Sequence, residues 1–154
     1  MATVYNAPAP TITVSKRTGR RIGYVVAILV NLAFLALINA WPGWEAMPFV
    51  TADAVEVVPL VNASIVVSML ANLLFLLEDR PRLKAAGDVV TGIVSIVAIS
   101  AMLTVYPFDF SAYAFPWEVL TKVVLWIALI GTGIAVIVNL VKAFAGPRQR
   151  AADG

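Results

Sequence analysis

The sequence has no cysteine and no histidine among its 154 residues. The lack of cysteine excludes disulfides and thiol redox chemistry, and the lack of both residue types excludes Cys/His zinc sites. Without histidine there is no His-ligated haem and no imidazole acid–base catalysis. The acidic residues show no metal-ligand motif and no recognisable catalytic pair. We therefore expect a protein that is not an enzyme, with no catalytic residue, no cofactor and no metal ion.

Charged residues are also scarce, at 13% of the chain against 61% for hydrophobic residue types. None of them lies in the central part of a long apolar run. Ion-coupled transporters, proton relays and voltage sensors need ionisable groups at that depth, so the sequence disfavours these mechanisms. The basic residues are divided among separate segments without interleaved aromatic residues, so we expect no nucleic-acid partner.

What the chain does have is four long apolar segments and a mean hydropathy of +0.91. A helix needs about 20 residues to cross a hydrocarbon core of about 30 Å. The runs are continuous rather than alternating, which argues against a membrane β-barrel. We predict an all-α, antiparallel four-helix transmembrane bundle with short loops, surrounded by membrane lipids. Its membrane domain is residues 20–145, with spans at about 22–41, 57–77, 88–106 and 119–144.

Turn chemistry suggests where the spans begin. Thr51 is expected to cap the second span, since threonine is a common N-cap residue. Arg80-Pro81 is expected to break the chain after that span. Gly87-Asp88 is expected to open the third, where an acidic residue suits the helix dipole.

The basic residues predict the orientation. Ten of the eleven lie before the first span, between the second and third, or in the last turn of the fourth and beyond it. The positive-inside rule then places both termini in the cytoplasm, in a multi-pass protein of the cell inner membrane. Residues 1–19 are predicted to be a disordered cytoplasmic tail, and residues 146–154 a short cytoplasmic tail.

Several polar side chains fall within the predicted spans. An amide facing lipid would lack hydrogen-bond partners, so these groups should point into the bundle. One interpretation is that they bond neighbouring helices together, and the other is that they line a polar path. The residues concerned are Asn31, Asn62, Ser68, Asn72, Ser95, Thr132 and Asn139.

The predicted outer end is rich in aromatic and acidic residues. Glu118 and Lys122 have the spacing and order of a helical ion pair, with an outer site for an anionic ligand as the alternative. Aromatic rings prefer the headgroup level, where they anchor a membrane protein or form a surface for a lipid or a partner. The rings are those of Trp41, Trp44, Tyr106, Phe108, Phe110, Tyr113, Phe115 and Trp117.

Short stretches of the chain also resemble a known family. They are Asn39-Ala40-Trp41-Pro42-Gly43-Trp44, Leu60-Val61-Asn62, Ala71-Asn72-Leu73, Gly87-Asp88 and Tyr106-Pro107-Phe108-Asp109-Phe110. Together they resemble an uncharacterised family of small four-span bacterial integral membrane proteins, mainly actinobacterial. The resemblance covers roughly residues 20–144 and implies the four-span fold but no activity.

Small and polar residues without catalytic groups favour a protein that works by helix packing. We expect a non-enzymatic membrane protein that acts as a partner or assembly subunit, or as a homo-oligomer. The alternative is a passive channel or transporter for a small neutral solute or a lipid, lined by the Asn, Ser and Thr side chains.

Overall fold

The computed structural model describes residues 15–144, and this part of the chain is helical apart from its connections. Its four long helices are each long and apolar enough to cross a membrane. They are α1 (Lys16–Asn39), α2 (Ala54–Leu77), α3 (Pro81–Val105) and α4 (Trp117–Phe144). The protein is therefore a multi-pass membrane protein, which confirms the predicted all-α fold. The predictions for residues 1–14 and 146–154 lie outside the described residues.

The first helix begins earlier than its hydropathy predicts. Ser15 caps it by accepting a hydrogen bond from the Thr18 backbone N–H at 3.3 Å. Residues 16–19, predicted as part of a disordered tail, therefore belong to α1. Hydropathy marks the part of a helix that lies in lipid, whereas lysine and arginine extend a helix readily beyond it.

The second and third helices also begin at residues other than those predicted. Asp53, not Thr51, is the residue before α2. Helix α3 begins at Pro81, so Gly87 and Asp88 lie inside it rather than at its start. Proline is well tolerated at the first helical position because its missing N–H would be unpaired there.

Gly87 has a packing role instead. A Cβ atom at this position would lie 2.5 Å from the Cζ atom of Phe75, a buried residue of α2. The glycine therefore lets the Phe75 ring lie directly against the α3 backbone. Close approach of this kind is a common use of small residues between membrane helices.

Successive helices are antiparallel, because the residue numbers of their contacting pairs run in opposite directions. Between α1 and α2, Asn39 bonds Asn62 and Arg20 bonds Asp79. The connections 40–53 and 106–116 thus lie at one end, called here the two-loop end. Residue 15, residue 144 and the turn 78–80 lie at the other, called here the termini end.

The packing contacts link α1 with α2, α2 with α3 and α3 with α4. Within residues 15–144, α1 and α4 have no interface comparable with these three. The bundle is therefore open on the side between its first and last helices.

The interior of this bundle is small. Among the described residues only a few hydrophobic side chains are buried, and α4 contributes none of them. Most of the apolar surface is left for lipid or for another protein, as expected where the bilayer replaces water as the solvent. The buried hydrophobic residues are Tyr24, Ala54, Val57, Phe75, Ala85 and Ala98.

Candidate functional site

Polar side chains connect α1 to α2 at two levels within the predicted membrane region. Near the two-loop end, Asn39 donates to the Asn62 Oδ1 atom at 3.0 Å, and Asn62 donates to the Asn39 Oδ1 atom at 2.6 Å. Deeper in the bundle, the Asn31 amide donates to the Ser68 hydroxyl at 3.1 Å. Each amide thereby gains a partner that lipid cannot supply.

The other predicted polar residues do not continue this series. Asn72 donates to the Ser68 backbone carbonyl at 2.8 Å, so its bond stays within α2. Ser95, Thr132 and Asn139 are half-buried on α3 and α4. Within residues 15–144 their side chains make no hydrogen bond. The structure thus joins three of the seven predicted residues across helices and leaves four without an interhelical bond.

A third link, which the sequence did not predict, lies at the termini end. The Arg20 guanidinium contacts the Asp79 carboxylate at 2.6 Å, and the Tyr24 hydroxyl donates to the same carboxylate at 3.3 Å. The hydrogen bond from Arg20 holds the pKa of Asp79 below its ordinary value of 3.8. Tyr24 also packs against the Phe75 ring, with centroids 5.7 Å apart. The sequence feature that could have predicted this link is an acidic residue just beyond α2 together with a basic first turn of α1.

At the two-loop end, the two connections are bonded to one another. Val50 and Phe108 form an isolated antiparallel bridge. The Thr51 N–H donates to the Pro107 carbonyl at 3.0 Å, and the Asp109 N–H donates to the Phe49 carbonyl at 2.9 Å. These bonds tie the α1–α2 connection to the α3–α4 connection and fix the backbone of both.

Aromatic rings from both connections stack over this junction. Phe49 and Phe110 lie with centroids 5.6 Å apart and planes 19° apart, and Phe108 lies 6.0 Å from Phe110 on nearly parallel planes. Phe49, Phe110, Tyr113 and Trp117 line an open cleft of about 380 Å³. We call it the aromatic cleft. The sequence predicted aromatic residues at this end but not a shared cavity, because the cavity depends on how the two connections pair.

Glu118 and Lys122 lie next to this region, on the first turns of α4. Their side chains are in contact at 2.6 Å. The Lys122 ammonium lies 4.6 Å from the centroid of the Tyr106 ring, and the Tyr106 hydroxyl donates to the Glu118 carbonyl at 3.1 Å. Burial, with the Glu118 charge, raises the pKa of Tyr106. This arrangement fixes the start of α4 against the end of α3.

The space beneath the paired connections is apolar. A cavity of about 130 Å³ there is lined by hydrophobic side chains that include Trp44, Val57, Met102 and Phe108. It contains no polar group that would continue a path from the Asn39–Asn62 pair. Residues 15–144 also contain no group of three or more acidic side chains placed to hold a metal ion.

Comparison of the chain with protein-family models, with curated proteins and with solved structures found no match. The resemblance to a family of four-span bacterial proteins therefore stays a prediction.

Proposed function

We propose that this protein is a non-enzymatic subunit of the cell inner membrane, with both termini in the cytoplasm, that works by packing its outer helices against a second copy or another membrane protein. The observation that carries the proposal is the open side of the bundle between α1 and α4. Membrane helices associate through close packing and interhelical hydrogen bonds, and both terminal helices keep long faces free for this.

The polar groups of α4 lie toward α3 and not on its free face. Thr132 and Asn139 are half-buried, and the Thr132 Cγ2 atom lies 3.8 Å from where a Cβ atom on Gly92 of α3 would be. The exposed middle of α4 carries apolar side chains such as Ile127, Ile134 and Ile137. A partner there would therefore be held by close packing rather than by hydrogen bonds.

A polar path through the bundle has less support. The bonded amides between α1 and α2 occupy the groups that would line such a path, and the cavity beneath the connections is apolar. A solute that crosses a membrane needs polar groups available along its route. We therefore favour packing over passive transport.

The test is native mass spectrometry of the protein purified in a mild nonionic detergent. A stable complex of fixed stoichiometry is expected, composed of copies of this chain or of this chain with another membrane protein. A strictly monomeric particle with nothing bound in fixed ratio would contradict the proposal.

Two matched variants identify the interface. Gly131 on α4 and Gly23 on α1 are exposed, and a Cβ atom added at either meets nothing within 4 Å. Gly131→Leu and Gly23→Leu therefore add the same bulk to the two open helices without disturbing the fold. We expect at least one of them to lower the complex-to-monomer ratio about tenfold, which corresponds to about 1.4 kcal/mol. An unchanged ratio in both variants would exclude these faces of α1 and α4 as the interface and contradict the proposal.

A further inference from the structure

The aromatic cleft adjoins a second cleft of different character. The second cleft has a volume of about 360 Å³ and shares the rings of Phe110, Tyr113 and Trp117 with the first. Asp109, Ser111 and Glu118 also lie along it. An almost wholly apolar surface thus passes directly into one that carries carboxylates. This is the arrangement that an amphiphilic molecule requires, with its apolar part on one side and its polar part on the other.

The charges around the second cleft indicate which kind of polar group it can bind. Within the described chain, the two-loop end has one basic side chain, Lys122, and it is already paired with Glu118. Asp109 forms no salt bridge within residues 15–144, and its carboxylate accepts a hydrogen bond from the Ser111 N–H at 2.9 Å. That hydrogen bond lowers the pKa of Asp109, so the side chain is charged at neutral pH. The acidic residues at this end are Glu45, Asp53, Glu56, Asp109 and Glu118.

We propose that the two clefts together bind a small amphiphilic ammonium ion that arrives from the aqueous side. Its apolar group would contact Phe49 and Phe110, and its cationic group would lie near the rings of Tyr113 and Trp117 and the carboxylate of Asp109. Aromatic faces attract quaternary ammonium groups, and the attraction is stronger where the ring is shielded from water. A carboxylate beside the rings adds the attraction of its negative charge.

Electrostatics favours a dissolved cation over a lipid headgroup. The acidic residues create a negative potential that attracts a free cation toward the rings. A zwitterionic phospholipid headgroup would bring a phosphate together with its ammonium group, and repulsion between that phosphate and the carboxylates would offset part of the attraction. The inference does not depend on the proposed packing function, because the aromatic cleft is formed by the two connections and by Trp117 at the start of α4, outside the middle of the open helices.

Isothermal titration calorimetry in dodecyl maltoside micelles tests the proposal, since this detergent has no ammonium group. Benzyltrimethylammonium is the probe, and neopentylbenzene is its uncharged isostere. We expect saturable binding of the cation, at least tenfold weaker binding of the isostere and no binding of benzenesulfonate. Equal affinity for the cation and the isostere would overturn the proposal, as would binding of the sulfonate. Equal or better competition by glycerophosphocholine would overturn it in favour of a lipid headgroup.

Variants locate the site. Tyr113→Leu removes a ring and Asp109→Asn removes a charge, and each should weaken binding about three- to tenfold. Tyr113→Phe keeps the ring and should bind nearly as the natural protein does, which separates loss of binding from loss of fold. Trp126→Leu, on the exposed middle of α4, and Glu45→Gln, at the same end but outside both clefts, are the matched controls. Equal weakening by the controls would place binding elsewhere and overturn the proposal.

Discussion

Asn39 and Asn62 bond each other twice, at 3.0 and 2.6 Å, from opposite sides of the α1–α2 interface. Each amide is both donor and acceptor for the other, and Asn39 also donates to the Leu35 carbonyl of its own helix. The pair fixes the register of α1 against α2 near the two-loop end, because a shift by one residue would break both bonds. Of the three links between these helices, this pair lies farthest from the Arg20–Asp79 contact, which joins α1 to the residues just after α2 at the termini end.

This pair should contribute a measurable coupling energy. In a double-mutant cycle of Asn39→Leu and Asn62→Leu, we expect the two changes to be non-additive by about 0.6–1.7 kcal/mol, from the average to the largest value found for interhelical hydrogen bonds of a membrane protein. Unfolding by SDS titration in mixed micelles gives the free energies. Paired with Asn39→Leu, the control Asn72→Leu should show no coupling because the Asn72 bond stays within α2. Additive effects of the first two variants would contradict the assignment.

The α3–α4 interface depends on a residue without a side chain. A Cβ atom at Gly92 would overlap the Val136 Cγ2 atom, whereas one at Gly131 meets nothing. We expect Gly92→Ala to lower the free energy of unfolding by about 1–3 kcal/mol, since valine is stiff and the helices must separate to fit the methyl group. Gly131→Ala should leave the free energy of unfolding unchanged or slightly raised.

A second substitution checks this cause. Val136→Ala should restore part of the stability lost in Gly92→Ala, because it removes the atom with which the new methyl group collides. If the double variant were as unstable as the sum of the single ones, steric overlap would not be the reason. The same SDS titration measures all of these proteins.

The fold was predictable because it follows from hydropathy. A bilayer leaves few structures open to long apolar segments, so their number and length define four helices. The helix starts were less predictable. Lys16 and Pro81 begin helices outside the apolar segments, where cap and turn chemistry decide the boundary. Gly87 was wrongly placed at a helix start, because a glycine at a helix boundary and a glycine that makes room for a neighbouring ring look the same in sequence.

The candidate sites were only partly predictable. Asn31, Asn62 and Ser68 were identifiable as polar residues at depth, but their partners depend on the register between α1 and α2. The aromatic cleft needs Phe49 from one connection and Phe110 from the other. Their contact follows from backbone bonds between distant segments, which no local pattern in the sequence records.

Acid should weaken the link at the termini end. The pKa of Asp79 is lowered in the folded protein, so its ionised form stabilises the fold fully above about pH 4, near its ordinary value of 3.8. That contribution is lost as pH falls through the lowered pKa. Asp79→Asn should therefore lower the melting temperature at pH 7 but make little difference at the most acidic pH tolerated. Thermal unfolding across this pH range measures the effect, with Glu78→Gln as the neighbouring control. A difference that persisted at low pH would contradict the role of the charge.

The lack of cysteine allows a direct test of orientation, because every introduced thiol is the only one in the chain. Ser111 lies exposed at the two-loop end, and Arg82 lies exposed at the termini end, near the α2–α3 turn. In intact cells of a bacterial host, a membrane-impermeant maleimide should label Ser111→Cys directly and Arg82→Cys only after permeabilisation, as the positive-inside rule requires. The unmodified protein gives the background.

Labelling of both variants from the same side would contradict the fold, because Ser111 and Arg82 lie at opposite ends of α3. Labelling of Arg82→Cys alone in intact cells would leave the fold unchanged and reverse its orientation, which would place the acidic aromatic cleft in the cytoplasm.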